Sequence, residues 1–173
     1  MLIVIAIAAI FSTLAMPSFS TMIQNSRLTS THNSLLSALQ FTRAEAVTRK
    51  QSVTLCRSSS GSSCGGNWEA GWIIFNDLDG DGAVDGGDGD QVLRLQQEVD
   101  SGVTVRFSNG ANQITFTPRG TTPQSGTLRI CDSRGASEAT AIIITPSGRA
   151  RRGSDGDSDG VVDDDSGNSI SCP

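Results

Sequence analysis

Apolar positions follow two regimes along the 173-residue chain. Met1–Met16 is an uninterrupted run of apolar and small residues, and no charge appears up to Phe19. At about 1.5 Å per helical residue the run reaches roughly 24 Å, slightly short of a hydrocarbon core of about 30 Å. After Pro17 the pattern stays helical. Phe19, Met22, Ile23, Leu28, Leu35, Leu36, Leu39, Phe41, Ala44 and Val47 recur mostly at three- and four-residue steps among Ser, Thr, Asn and Gln. No Gly occurs before Gly61, and Pro17 is the only Pro before Pro118. The spacing predicts one helix to about Arg49, roughly 75 Å long, bent or locally melted at the proline. A cleaved secretory signal would carry a basic leading region and would not continue into an amphipathic helix, so the run reads as a membrane anchor.

From Ser52 the pattern changes to short alternating runs separated by Gly, Pro, Asn and Asp. Ser52–Cys56, Gly71–Phe75, Gln91–Gln96, Val103–Phe107, Gln113–Thr117, Thr127–Cys131 and Ala139–Thr145 are the candidate strands. The class is therefore α+β, with antiparallel sheets packed on the exposed half of the long helix. This divides the chain into a membrane-anchor part (1–22), an amphipathic helical half (23–50) and a β-rich head with an Asp-rich tail (51–173).

Charge changes that picture in one respect. The net charge of −5 hides six Asp in Asp77–Asp90 and six in Asp155–Asp165; the rest of the chain is basic by about seven. Twelve of its thirteen basic residues are Arg. The head reads as a basic body with two acidic inserts. Four cysteines, Cys56, Cys64, Cys131 and Cys172, follow the apolar segment. An even count there favours disulfides and an oxidising compartment, with three pairings open. The favoured one closes the Ser/Gly loop with Cys56–Cys64 and ties the C-terminus down with Cys131–Cys172. No two cysteines stand at zinc-finger spacing, which argues against zinc.

Several ordered motifs together carry a family resemblance. Met1-Leu2-Ile3-Val4-Ile5-Ala6-Ile7-Ala8-Ala9-Ile10, with Ala15-Met16-Pro17-Ser18-Phe19, resembles the N-terminal helix of type IV pilins and type II secretion pseudopilins. In that family a basic leader ending in Gly, then Phe-Thr-Leu-x-Glu, precedes the apolar run. This sequence lacks the leader, the Gly and the Glu, and the expectation is an incorrect start or a trimmed chain. Asn67-Trp68-Glu69-Ala70-Gly71-Trp72-Ile73-Ile74-Phe75-Asn76-Asp77, Val92-Leu93-Arg94 and Ile114-Thr115-Phe116-Thr117-Pro118-x-Gly120 narrow the resemblance to the FimT/GspH group of minor pilins and pseudopilins. The resemblance implies a pilin fold, other pilins as partners through the N-terminal helix, and a single-pass inner-membrane subunit with its head in the periplasm. It also implies display in an assembled pilus at the cell surface. Trp68 and Trp72 read as core residues.

Two features stand out as candidate sites. In Gly148-Arg149-Ala150-Arg151-Arg152, Arg149 and Arg151 would share one face of an extended chain, and Gly148 lets the backbone turn. Arginines so placed contact successive phosphates without reading sequence. FimT-type minor pilins of natural transformation carry a Gly-Arg-x-Arg motif that binds extracellular DNA, and Gly148, Arg149 and Arg151 match it; Arg152 adjoins it, and Arg134 would widen the patch. The nearby Asp-rich tail opposes DNA by like charge. The second feature is Asp77, Asp79, Asp81, Asp85 and Asp88, at positions one, three, five, nine and twelve of an EF-hand-like loop with Gly82 at six. Asp155–Asp163 repeats the first half, and calcium is the cation such loops would take. The alternative is a pair of polar hairpin turns.

No nucleotide loop, nucleophile elbow or His-based metal site is present, which points away from an enzyme, a small-molecule substrate or a required cofactor. His32, the only histidine, reads as surface- or groove-facing. The functional expectation is DNA uptake by a FimT-like minor pilin. The alternative is a FimU- or GspH-like subunit that initiates or caps a filament. A secreted calcium-dependent adhesin fits the Asp loops but leaves the helix unexplained.

Overall fold

The computed structural model describes residues 2–99 and 101–173, with side chains from Phe19 onward. The helix α1 spans Leu2–Arg49 without interruption. It ends where Lys50 turns to a φ of 57°, with the Gln51 amide donating to the Ala46 carbonyl at 3.3 Å. Arg49 in the last turn pairs with Glu45 one turn back, as a cation near a helix C-terminus is expected to do. The transmembrane part expected over 1–22 lies largely outside the residues whose side chains are described. Among the described residues, no helix is long and apolar enough to cross a membrane.

Eight strands follow. They are β1 (Val53–Arg57), β2 (Trp72–Asn76), β3 (Gln91–Gln96), β4 (Thr104–Phe107), β5 (Gln113–Phe116), β6 (Gly126–Cys131), β7 (Thr140–Ile144) and β8 (Ala150–Arg152). Seven fall within a residue or so of the runs read from alternation. They form two four-stranded antiparallel sheets, ordered β3-β2-β1-β5 and β4-β6-β7-β8. The result is the expected α+β arrangement of one long helix on two antiparallel sheets.

The helix face that meets the sheets runs Leu28, Thr31, His32, Leu35, Ala38, Leu39, Thr42, Ala46, three- and four-residue steps with two adjacent pairs between them. Its apolar members join Leu55, Ile74, Ile114 and Phe116 of the first sheet and Val105, Leu128, Ile130, Ile142 and Ile144 of the second in one core. Trp68 and Trp72 belong to it, as the sequence suggested. The polar members of the stripe find partners, as buried polar groups must. The Thr42 hydroxyl donates to the Ala38 carbonyl at 2.7 Å, and His32 Nδ1 lies 3.1 Å from Thr140 Oγ1. His32 is therefore not surface-facing: it is 2 % exposed, because its position on the helix points it at β7. Burial first, and Arg152 second, lower its pKa from 6.5 to about 4.

Both disulfides form in the favoured pairing, Cys56–Cys64 and Cys131–Cys172. Each anchors a loop over the outer face of a sheet. Cys56 and Cys64 pack with Ile73, Phe75 and Val84 outside the first sheet. Cys131 and Cys172 pack with Ala139, Ala141, Val161, Val162 and Ile170 outside the second, so the Asp-rich tail is folded onto the head. Asp165 holds it in register, its Oδ1 accepting from the Thr127 hydroxyl at 2.8 Å while its amide donates back at 2.9 Å.

Candidate functional site

The arginine motif occupies a hairpin that the alternation pattern does not reveal. β8 pairs with β7 in the register Ile142↔Arg152, Ile143↔Arg151 and Ile144↔Ala150, and forms the edge of the second sheet. The connecting turn is Thr145-Pro146-Ser147-Gly148, closed by the Gly148 amide on the Thr145 carbonyl at 2.8 Å. Proline at the second position presets φ, and Gly148 takes a φ of 75°. The β5–β6 connection uses the same device: Thr117-Pro118-Arg119-Gly120, closed at 2.8 Å, with Gly120 at φ 75°.

These two turns pack against each other and against the end of α1. The Thr122 amide donates to the Pro146 carbonyl at 3.1 Å. A Cβ on Gly148 would stand 1.8 Å from the Gly120 carbonyl oxygen. Arg43 bridges both turns, donating from Nε to the Gly120 carbonyl at 3.0 Å and from Nη2 to the Ser147 carbonyl at 3.4 Å. A groove of about 570 Å³ runs between helix and hairpin, with Gln40, Arg43, Val47, Arg119 and Arg149 among its lining residues.

Arg149, Arg151 and Arg152 are all exposed. Ala150 packs against the core, so alternation sets Arg149 and Arg151 on the opposite side of β8 and Arg152 on the side of His32. Among the described residues no carboxylate lies within ion-pair distance of these three arginines. Arg134 is elsewhere. It precedes β7, whereas the motif follows it, and its Nη1 donates to Asn25 Oδ1 at 2.7 Å, some twenty residues down the helix from Arg43. It is also neutralised: Nε and Nη2 both reach the Asp132 carboxylate, at 3.0 and 2.7 Å, which lowers the Asp132 pKa and raises that of Arg134. The structure thus brings Gly148, Arg149, Arg151 and Arg152 together and leaves Arg134 out. Arg43 and Arg119, which the sequence reading missed, join the groove in its place. Arg119 stands at the unspecified position of the Pro118-x-Gly120 motif, and the repeated Thr-Pro-x-Gly turn was the signal available for it.

In the first acidic loop, Asp77 and Asp79 offer oxygens within 4.8 Å of one another and of a third carboxylate, Asp90. Asp90 lies two residues past the end of the twelve-residue register. Asp81 and Asp88 instead lie near Asp85, whose pKa is raised by desolvation and then by those two like charges. In the second loop Asp155, Asp157 and Asp159 gather similarly, all exposed.

This architecture has known relatives. A crystal structure of the type IV minor pilin FimU from Pseudomonas aeruginosa superposes with a TM-score of 0.60 at 22% identity, covering 75% of this chain and 90% of that one. A second FimU crystal form gives 0.57 at 23% identity, covering 72% and 91%. The minor pseudopilin EpsH of the Vibrio cholerae type 2 secretion system gives 0.52 at 14% identity, covering 76% and 99%. No curated protein matches the sequence. The family described as type II transport protein GspH matches residues 31–148, from the amphipathic half of α1 to the glycine that opens the arginine motif. The chain belongs to the family of the type II transport protein GspH, and it shares its fold with the minor pilin and pseudopilin structures above.

Proposed function

We propose that this subunit binds extracellular DNA without sequence preference, as a minor pilin acting in DNA uptake. The supporting observation is the β7–β8 hairpin: it displays Arg149 and Arg151 on one side of an edge strand, unpaired by any described carboxylate. Arg152 adjoins them, and Arg119 and Arg43 line the groove beside them. Phosphates are the ligands this arrangement suits, since charge and bidentate donors recognise the backbone and ignore the bases. In this reading the apolar N-terminal segment anchors the subunit in the inner membrane before assembly, with the head in the periplasm. Other pilins then pack on the helix in the pilus.

A second reading, filament initiation or capping without DNA, draws on different residues. Phe19, Met22 and Ile23 on α1 are 66, 70 and 39 % exposed, an apolar surface suited to neighbouring pilin helices. Arg43, moreover, is already engaged by two carbonyls.

Fluorescence anisotropy of the full chain in detergent with labelled duplex DNA, across a salt series, separates the two. The DNA reading expects binding to any sequence, and a salt slope shallower by about one to two units in Arg149→Gln/Arg151→Gln, at about 0.9 per phosphate contact. No binding at low salt, with or without calcium, would leave the filament role as the better account.

A further inference from the structure

We propose that the β2–β3 loop is a calcium site built on Asp77, Asp79 and Asp90. The three carboxylates converge within 4.8 Å, which alone would say little, since exposed acidic groups often cluster. Two of these are not exposed. Asp77 is 0 % and Asp90 8 % exposed. Asp77 is held from both sides, Oδ2 accepting from the Thr54 hydroxyl at 2.7 Å and Oδ1 from the Gly82 amide at 3.4 Å. Asp90 Oδ1 accepts from the Leu78 amide at 3.0 Å, but its Oδ2 is buried with no hydrogen-bond partner.

A buried carboxylate needs a cation or a full set of donors. Among the described residues none of the three has an Arg or Lys partner; the ion pairs are Arg49–Glu45, Arg106–Glu69 and those of Arg134 with Asp132 and Glu138. Three converging negative charges, one with an unsatisfied buried oxygen, are balanced by a divalent cation that accepts oxygen ligands alone. Calcium fits better than magnesium. It tolerates irregular carboxylate geometry, whereas magnesium demands a near-ideal octahedron and is usually held by one or two carboxylates plus water. Asp79, exposed on the loop, leaves one side of the site open to solvent ligands.

The loop around the site is otherwise held at its ends. Asn76 Oδ1 accepts from the Gln91 amide, and Asn76 Nδ2 donates to the Gly89 carbonyl at 3.4 Å. Val84, further along, covers Ile73, Phe75 and the Cys56–Cys64 disulfide. A cation bridging Asp77 and Asp79 at the start of the loop to Asp90 at its end would cross-link the loop and hold that cover in place.

The test titrates calcium chloride, and separately magnesium chloride, into the full chain in detergent, read by isothermal titration calorimetry. The expected site binds calcium with a dissociation constant of roughly 10⁻⁴ to 10⁻³ M, the range of extracellular modules, and more tightly than magnesium. Asp90→Asn, which keeps shape and removes charge, is expected to weaken it roughly tenfold or more, while Asp157→Asn in the other acidic loop leaves it unchanged. Wild-type chain supplies an independent readout: calcium should slow cleavage within residues 78–89 by an Asp-specific protease. Absence of calcium binding, wild-type affinity in Asp90→Asn, loss of binding in Asp157→Asn instead, or equal affinity for magnesium would each overturn the proposal.

Discussion

Gly148 shows how one position ties sequence to site. Its φ of 75° is costly for any residue with a Cβ, and that Cβ would sit 1.8 Å from the Gly120 carbonyl oxygen. Because the obstacle is backbone, relief requires the two Thr-Pro-x-Gly turns to part and Arg43 to lose its acceptors. Gly148→Ala is therefore expected to destabilise the chain by about 2–4 kcal/mol, read as a lower urea midpoint at unchanged slope. Stability equal to wild type would mean that the close approach is not maintained in solution. His32 makes a different prediction. Its folded pKa of about 4 lies below the ordinary 6.5, so between those values the unfolded chain binds a proton that the folded chain refuses. The contribution is complete above about pH 6.5 and is lost as pH falls towards 4, and it is on the order of 1–3 kcal/mol. His32→Gln retains a partner for Thr140 without titrating, so the melting temperatures of variant and wild type should converge on acidification through that window. Parallel profiles would place His32 in water.

At the scale of elements, the C-terminal tail is an appendage made part of the fold. It contributes Val161, Val162 and Ile170 to the cover over Cys131 and Ala141, and the Cys131–Cys172 bond closes a separation of 41 residues. Cys131→Ser/Cys172→Ser is expected to lower stability by about 2–4 kcal/mol, and reduction of wild type, which opens both disulfides, should cost at least as much. A smaller effect than for Cys56→Ser/Cys64→Ser, which opens a separation of only 8, would run against the loop-length argument. Elements of this kind differed in how openly the sequence declared them. Seven strands were legible because short runs rich in β-branched and apolar residues were mostly set off by Gly, Pro, Asn or Asp. β8 was not: with three residues, two of them charged, it becomes a strand only by pairing with β7, and edge strands tolerate such charges. His32 was misread because Thr31 and Asn33 look like a solvated face, whereas the stripe through Leu28, Leu35 and Leu39 places it inward. Asp90 escaped the twelve-residue register because the chain returns to the site from the start of β3. Arg43 and Arg119 are 76 positions apart, and only the packed turns bring them to one groove.

Across the whole molecule, the proposed DNA role in a chain of net charge −5 depends on where that charge sits. The tail leaves β8 directly, and Asp155, Asp157 and Asp159 are exposed within a few residues of Arg151 and Arg152, yet outside ion-pair distance of them. They would act on an approaching phosphate through solvent, over a screening length of about 10 Å at 0.1 M salt, rather than by occupying the guanidinium groups. Neutralising them as Asp155→Asn/Asp157→Asn/Asp159→Asn should therefore raise affinity for duplex DNA about three- to tenfold at low salt. The gain should vanish at roughly 0.5 M, where charges beyond a few ångströms are screened. A gain that persists at high salt would indicate that the tail physically covers the arginines. No gain at any salt, in a chain that does bind DNA, would move the phosphate path away from β8 and towards Arg119 at the far side of the groove.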